Sequence, residues 1–140
     1  NTLLNEGNIL LGLESESKEE AIIRAGELLF NNGYTKYEYI DSMLERENII
    51  STYIGLGIAI PHGTESGKSE VEKAGIIVLQ YPKGIKFGTQ TAYLLIAVAA
   101  KHDEHLEIIS SIAKSLEDIE LIEKIKTTTN PKDILKAFNL

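Results

Sequence analysis

His62, His105 and Arg46 are the residues whose types and surroundings can do chemistry in this chain. Cysteine is absent, which excludes thiolate nucleophiles and disulfides. His62 stands in the run Ala59-Ile60-Pro61-His62-Gly63-Thr64. A neutral imidazole is available near pH 7, because its unperturbed pKa is about 6.5. Such a ring can attack phosphorus and hold the phosphoryl group as a phosphoramidate. The P–N bond is energetic enough to hand the group onward, so histidine suits a relay. Pro61 restricts the backbone before His62. Gly63 permits close approach after it. Together they would present the ring at the end of a strand. Taken alone, the same residues more often describe a histidine in a surface turn.

A second phosphate chemistry competes for the same segment. Gly67-Lys68-Ser69 is the ending of a P-loop, which requires Gly, four residues, then Gly-Lys-Ser/Thr. The position that should hold the first glycine is His62, and Gly63 leaves one residue too few. A P-loop also leads into a long helix whose N-terminus faces the phosphate. Here Ser69 to Lys73 runs quickly toward an apolar stretch that reads as a strand. Gly55-x-Gly57 fails the dinucleotide fingerprint, since Ile60 replaces its third glycine. A strand-ending turn accounts for these glycines.

His102-Asp103-Glu104-His105 lies at the expected start of a helix. With three histidines in the chain, a metal site is one reading of this segment. No H-E-x-x-H pattern supports it. The plainer reading is an acidic helix start with Asp103 as its cap. His105 could instead donate a hydrogen bond to a phosphoryl oxygen, helped by the helix N-terminus. Arg46 could supply charge to a phosphate or to a partner's acids. A solvated cation at a helix end is its alternative.

The elements that must position these residues follow from length and pattern. One domain of 140 residues can bury a single core. Hydrophobic residues are 43% and charged residues 25%, as in ordinary globular chains. Net charge is -7, from 14 basic and 21 acidic residues, which argues against a nucleic-acid partner. No apolar run reaches the roughly 20 residues of a membrane helix. No signal peptide is visible, and a first residue other than Met suggests processing or an expression remnant. Ile9-Leu10-Leu11 suggests a short strand. Ser17 and Glu20 form a capping box before a helix with Ala21, Ile22, Ala25, Leu28 and Leu29 on one face, ended by Gly33. Thr35 and Glu38 repeat the box before a second helix, with Arg46 near its C-terminal end. The runs 57–60, 74–81 and 93–100 are continuously apolar, which predicts strands covered on both faces. Leu106, Ile109, Ile112, Ala113 and Leu116 restore the helical period. A short helix at 121–125 and a last one opened by Asn130-Pro131 complete the chain. Helices on both sides of strand runs predict a layered α/β domain.

The pieces Met43-Leu44-Glu45-Arg46-Glu47, Ser51-Thr52-Tyr53-Ile54-Gly55, Ile58 to Thr64, Gln80-Tyr81-Pro82-x-Gly84, Phe87-Gly88 and Glu104-His105-Leu106 occur in this order along nearly the whole chain. In them the chain resembles the enzyme IIA component of the bacterial phosphotransferase system, in its mannitol/fructose class. The Q-Y-P-x-G and F-G pieces make it most like the mannitol branch. The resemblance implies a type-2 EIIA domain over residues 1–140, with a mixed, mainly parallel β-sheet flanked by helices on both faces. It implies a phosphoryl carrier that accepts phosphate from the phosphohistidine of HPr. The carrier would pass it to a cysteine of the sugar-specific IIB component, driving uptake and phosphorylation of a sugar alcohol such as mannitol. His62 then corresponds to the phosphorylated histidine, His105 to a second histidine that stabilises the phosphoryl group, and Arg46 to a charge that orients it. Gly63 and Thr64 would offer further donors. No cofactor is implied, neither nucleotide nor metal, because the donor is already activated. A cytoplasmic location is implied, with the membrane reached only through the permease. IIB and IIC are expected as separate polypeptides. A shallow apolar patch around His62 is expected as the docking face. The alternatives are a regulatory IIA-like phosphorelay module, a fructose-specific IIA, and a P-loop NTPase or kinase.

Overall fold

The computed structural model describes residues 3–140. Its centre is made by two of the apolar runs, which extend into long strands, β4 (Gly75–Phe87) and β5 (Gln90–Ala99). Only Gly88 and Thr89 separate them, and Gly88 takes the left-handed φ of 69°. A turn this short can only reverse the chain, so β4 and β5 pair antiparallel. Three shorter strands complete the sheet: β1 (Ile9–Leu10), β2 (Tyr53–Gly55) and β3 (Ile58–Ala59). The order across the sheet is β1-β4-β5-β3-β2. β1 joins β4 and β3 joins β5 in parallel, while β2 and β3 form an antiparallel hairpin.

The expected mixed sheet with helices on both faces is therefore present. Parallel pairing does not predominate in it, since two pairings run each way and the longest ladder is antiparallel. Continuous apolarity reports that both faces are covered, and a covered hairpin produces it as readily as parallel strands. The extension of β4 beyond Tyr81 passes through Pro82. There the ladder sets Gln80 to Ile85 against only Leu94 to Ala92. Such a bulge lets a strand keep a proline that cannot donate to the ladder.

Alternate residues of the central strands feed two cores. Ile77, Leu79, Tyr81, Leu95 and Ala97 pack with Ala21, Ile22, Ala25 and Leu29 of α1 (Lys18–Asn31) and with Tyr39 and Met43 of α2 (Tyr39–Ile49). Ile76, Val78, Leu94, Ile96 and Val98 face the other way. They meet Ile108 and Ile112 of α3 (His102–Ser115), Ile122 and Ile125 of α4 (Ile119–Ile125), and Ile134 and Phe138 of α5 (Pro131–Phe138). Each fully buried aliphatic side chain stabilises the fold by about 1.5–3 kcal/mol in transfer free energy.

Two helix starts differ from the sequence reading. The Ser17–Glu20 capping box forms. The Thr35–Glu38 box does not: α2 begins after Glu38, which is itself helical and makes no side-chain cap. Thr35 instead bridges Val71 in an extended conformation, and its buried hydroxyl has no hydrogen-bond partner. Pairing with a distant segment has overridden the local signal. Asp103 likewise lies inside α3 and is not its cap. The residue before the helix is Lys101, whose amide donates to the Glu104 carboxylate at 3.4 Å.

Candidate active site

The site lies where β3 ends beside the carboxyl end of β5. The Ile60 amide donates to the Thr52 carbonyl at 3.0 Å, and the Val98 amide donates to the Pro61 carbonyl at 2.9 Å. His62 pairs with Val98 as an isolated parallel bridge, so the sheet itself seats the residue. Its Nδ1 lies 2.7 Å from the Ile60 carbonyl oxygen. A carbonyl only accepts, so Nδ1 carries the proton and Nε2 carries the lone pair. Burial pushes the His62 pKa below the ordinary value. The Ile60 carbonyl opposes that shift, Arg46 and Lys68 reinforce it, and Glu47 weakens it. A neutral ring with an available Nε2 is the form a nucleophile requires.

His105 enters from the first turn of α3. Its ring centroid is 4.6 Å from that of His62, with the planes tilted by 55°. Burial chiefly, then the positive fields of His62, Lys68, His102 and Arg46, lower its pKa to about 4. Both imidazoles are therefore neutral at pH 7. Arg46 comes from the last turn of α2, and its Nη1 donates to the Ile50 carbonyl at 2.6 Å. Its charge is felt at both rings. The structure thus sets His62 and His105 ring to ring, from a strand end and a helix start, with the Arg46 charge acting on both from a helix end. His102 stands apart: it is exposed, 3.6 Å from Glu65. Among the described residues no cluster of three or more His, Cys, Asp or Glu could hold a metal ion.

The loop after His62 is fixed by α2, which the sequence reading missed. The Gly63 amide donates to the Tyr39 hydroxyl at 2.9 Å, and that hydroxyl donates to the Val98 carbonyl at 2.9 Å. Burial pushes the Tyr39 phenol up to about 12, so it stays protonated and keeps donating. The Thr64 amide donates to the Ser42 hydroxyl at 2.8 Å. The Thr64 hydroxyl accepts from the Gly67 amide at 3.1 Å. The Gly63 and Thr64 amides, two of the donors these residues were expected to offer, thus already donate to side chains of α2. The need for glycine at 63 also differs from the expectation. A Cβ there would come within 2.6 Å of the Tyr39 ring, so the close approach is to α2. Tyr39 and Ser42 are three apart on one helical face, the spacing at which they could have been paired in the sequence.

Gly67-Lys68-Ser69 forms part of a single 3-10 turn, Ser66–Glu70, that leads to Val71 without a helix. It is no P-loop, although the Lys68 charge reaches both rings. Around the site, Ile49 and Ile50 at the end of α2 are 69% and 65% exposed, and Leu106 beside His105 is 55% exposed.

The chain matches the family described as phosphoenolpyruvate-dependent sugar phosphotransferase system, EIIA 2, over residues 2–140. It is 45% identical to the mannitol-specific phosphotransferase enzyme IIA component of Geobacillus stearothermophilus, over 98% of this chain and 95% of that protein. It is also 45% identical to the mannitol-specific EIICBA component of Buchnera aphidicola, but spans only 22% of that longer protein. Among solved structures it resembles the complex of enzyme IIAMTL and phosphorylated enzyme IIBMTL from Escherichia coli. The TM-score is 0.91 at 40% identity, covering 97% of this chain and 96% of the matched one. The chain belongs to the EIIA 2 family of the phosphoenolpyruvate-dependent sugar phosphotransferase system.

Proposed function

We propose that residues 1–140 act as a cytoplasmic phosphoryl carrier of a mannitol-type phosphotransferase system. His62 accepts the group from phosphorylated HPr and yields it to a cysteine of the IIB component. The observation that carries this reading is the 2.7 Å contact of His62 Nδ1 with the Ile60 carbonyl, which leaves Nε2 as the free nucleophile. The Nε2 lone pair forms a bond to phosphorus as the donor's N–P bond breaks, and that electron pair returns to the donor nitrogen. The His62 proton stays on Nδ1, so positive charge grows on the ring facing the Ile60 carbonyl. In the second step a cysteine thiolate attacks phosphorus, and the N–P pair returns to Nε2. Catalysis of such transfers is mostly positioning and charge stabilisation. His105 donates to a phosphoryl oxygen, and Arg46 supplies positive charge beside it. Two neutral imidazoles suit this division: one has a lone pair to give and the other an N–H.

The partners are supported by the solved relative, which is an enzyme IIA complexed with a phosphorylated enzyme IIB. The exposed Ile49, Ile50 and Leu106 furnish an apolar rim of the kind a transient partner uses. No helix among the described residues is long and apolar enough to cross a membrane. The test is incubation with phosphorylated HPr. Wild type should acquire an acid-labile, alkali-stable phosphate, and His62→Ala should acquire none. Labelling retained in His62→Ala would place the acceptor elsewhere, and labelling from ATP and magnesium would revive a kinase.

A further inference from the structure

Glu47 is a buried carboxylate that the transfer chemistry above does not use. It follows Arg46 in α2 and is 5% exposed. Burying a carboxylate is unfavourable unless it is hydrogen-bonded and paired. Here its bonds converge on one residue. Glu47 Oε1 accepts from the Thr52 hydroxyl at 2.6 Å, and Oε2 accepts from the Thr52 amide at 3.1 Å. Lys18 Nζ stands 3.6 Å from Oε2. Thr52 is buried as well, and its carbonyl accepts from the Ile60 amide at 3.0 Å. The Ile60 carbonyl is the one that holds His62 Nδ1. A chain of polar contacts therefore runs Lys18, Glu47, Thr52, Ile60, His62. Arg46 grips the same segment through the Ile50 carbonyl. Two consecutive residues of α2 thus hold the stretch 50–52, and that stretch holds the backbone of the nucleophile.

We propose that Glu47 is a positioning residue for His62, fixing through Thr52 and Ile60 the carbonyl that keeps the proton on Nδ1 and the lone pair on Nε2. The role rests on the carrier reading above. Its chemical reason is that the opposite tautomer would present an N–H at Nε2 and could not attack phosphorus. Its negative charge acts in the same sense. Glu47 favours a positively charged His62 ring, the charge that grows as the N–P bond forms, whereas Arg46 and Lys68 disfavour it. A carboxylate accepts at both oxygens. A glutamine of the same shape sets its amide nitrogen against the Thr52 N–H in either orientation, since that N–H lies 3.3 Å from Oε1 and 3.1 Å from Oε2, and so weakens the link with little change in packing.

The test uses the whole chain with 15N-labelled histidine at pH 8, where both rings are neutral. Wild type should show distinct His62 nitrogens, Nδ1 protonated and Nε2 bare. In Glu47→Gln the two signals should move toward an average, and the initial rate of labelling by phosphorylated HPr should fall about ten-fold. Thr52→Val, which keeps the backbone and the carboxylate, should move both readouts the same way by a smaller factor. Glu47→Gln that melts earlier but keeps the wild-type tautomer and rate would overturn the proposal and leave Glu47 a purely structural residue. Should Glu47→Gln not fold, an unchanged His62 spectrum in Thr52→Val would overturn it equally. If phosphorylated HPr fails to label even wild type, the carrier reading falls, while the nitrogen spectrum still decides whether Glu47 governs the tautomer.

Discussion

The two helices that reach the site do so in different ways. α2 is bound by polar contacts to the segments that hold His62: Tyr39 to Gly63, Ser42 to Thr64, and Glu47 to Thr52. α3 buries Ile108 and Ile112 against the sheet, and its first turn, which bears His102, His105 and Leu106, is largely exposed apart from His105. A ring that must hold one tautomer and one line of attack needs a fixed seat. A ring that only offers a hydrogen bond to an incoming oxygen needs proximity, and a 4.6 Å neighbour provides it. The division teaches that directional bonding is concentrated around His62, the ring proposed to form the covalent bond.

The comparison can be sharpened by removing one contribution at a time. His105→Ala deletes the donor on the α3 side and should slow labelling by phosphorylated HPr about 100-fold, the scale for losing one donor to a developing anion. Its melting temperature should stay near wild type. A loss no greater than two-fold would make His105 a bystander. Tyr39→Phe acts on the α2 side. It leaves the Gly63 amide and the Val98 carbonyl without their buried partner and should lower stability by about 1–3 kcal/mol, read by urea unfolding. Its effect on labelling should be the smaller one, since the Ile60 contact to His62 is untouched. Equal losses from the two variants would abolish the distinction between seat and companion. A third and gentler probe is pH. The folded pKa values of His62 and His105 lie below the unfolded value near 6.5, with His105 at about 4. The native state therefore binds fewer protons, and this contribution is fully present above pH 6.5. Stability should decline as pH falls from about 6.5 to about 4. His105→Ala should flatten that part of the profile, and an unchanged slope would deny the burial-driven shift.

Much of this site was legible because its chemistry sits on residues with local context. His62 is framed by Pro61 and Gly63, and α1 and α5 announce themselves through Ser17, Glu20, Asn130 and Pro131. What stayed hidden depends on contacts between distant segments. Thr35 reads as a cap but is taken by Val71. Strand β2, an edge strand of three half-buried residues, gave no periodic signal. The hairpin pairing of β4 with β5 is unreadable from apolarity, because both faces are covered. The Tyr39 hydroxyl reaches two backbone groups, at 63 and 98, that no sequence window contains together.

Because neighbouring residues of β4 and β5 point into opposite layers, the two cores share one backbone. Loss of either layer strips one face of the same strands against which the other layer packs. The site inherits this interdependence: Val98, which seats His62 through its backbone, packs its own side chain on the far side of the sheet from α1 and α2. Repacking beneath α3, α4 and α5 would reach His62 through Val98 even if no residue touching the ring were changed.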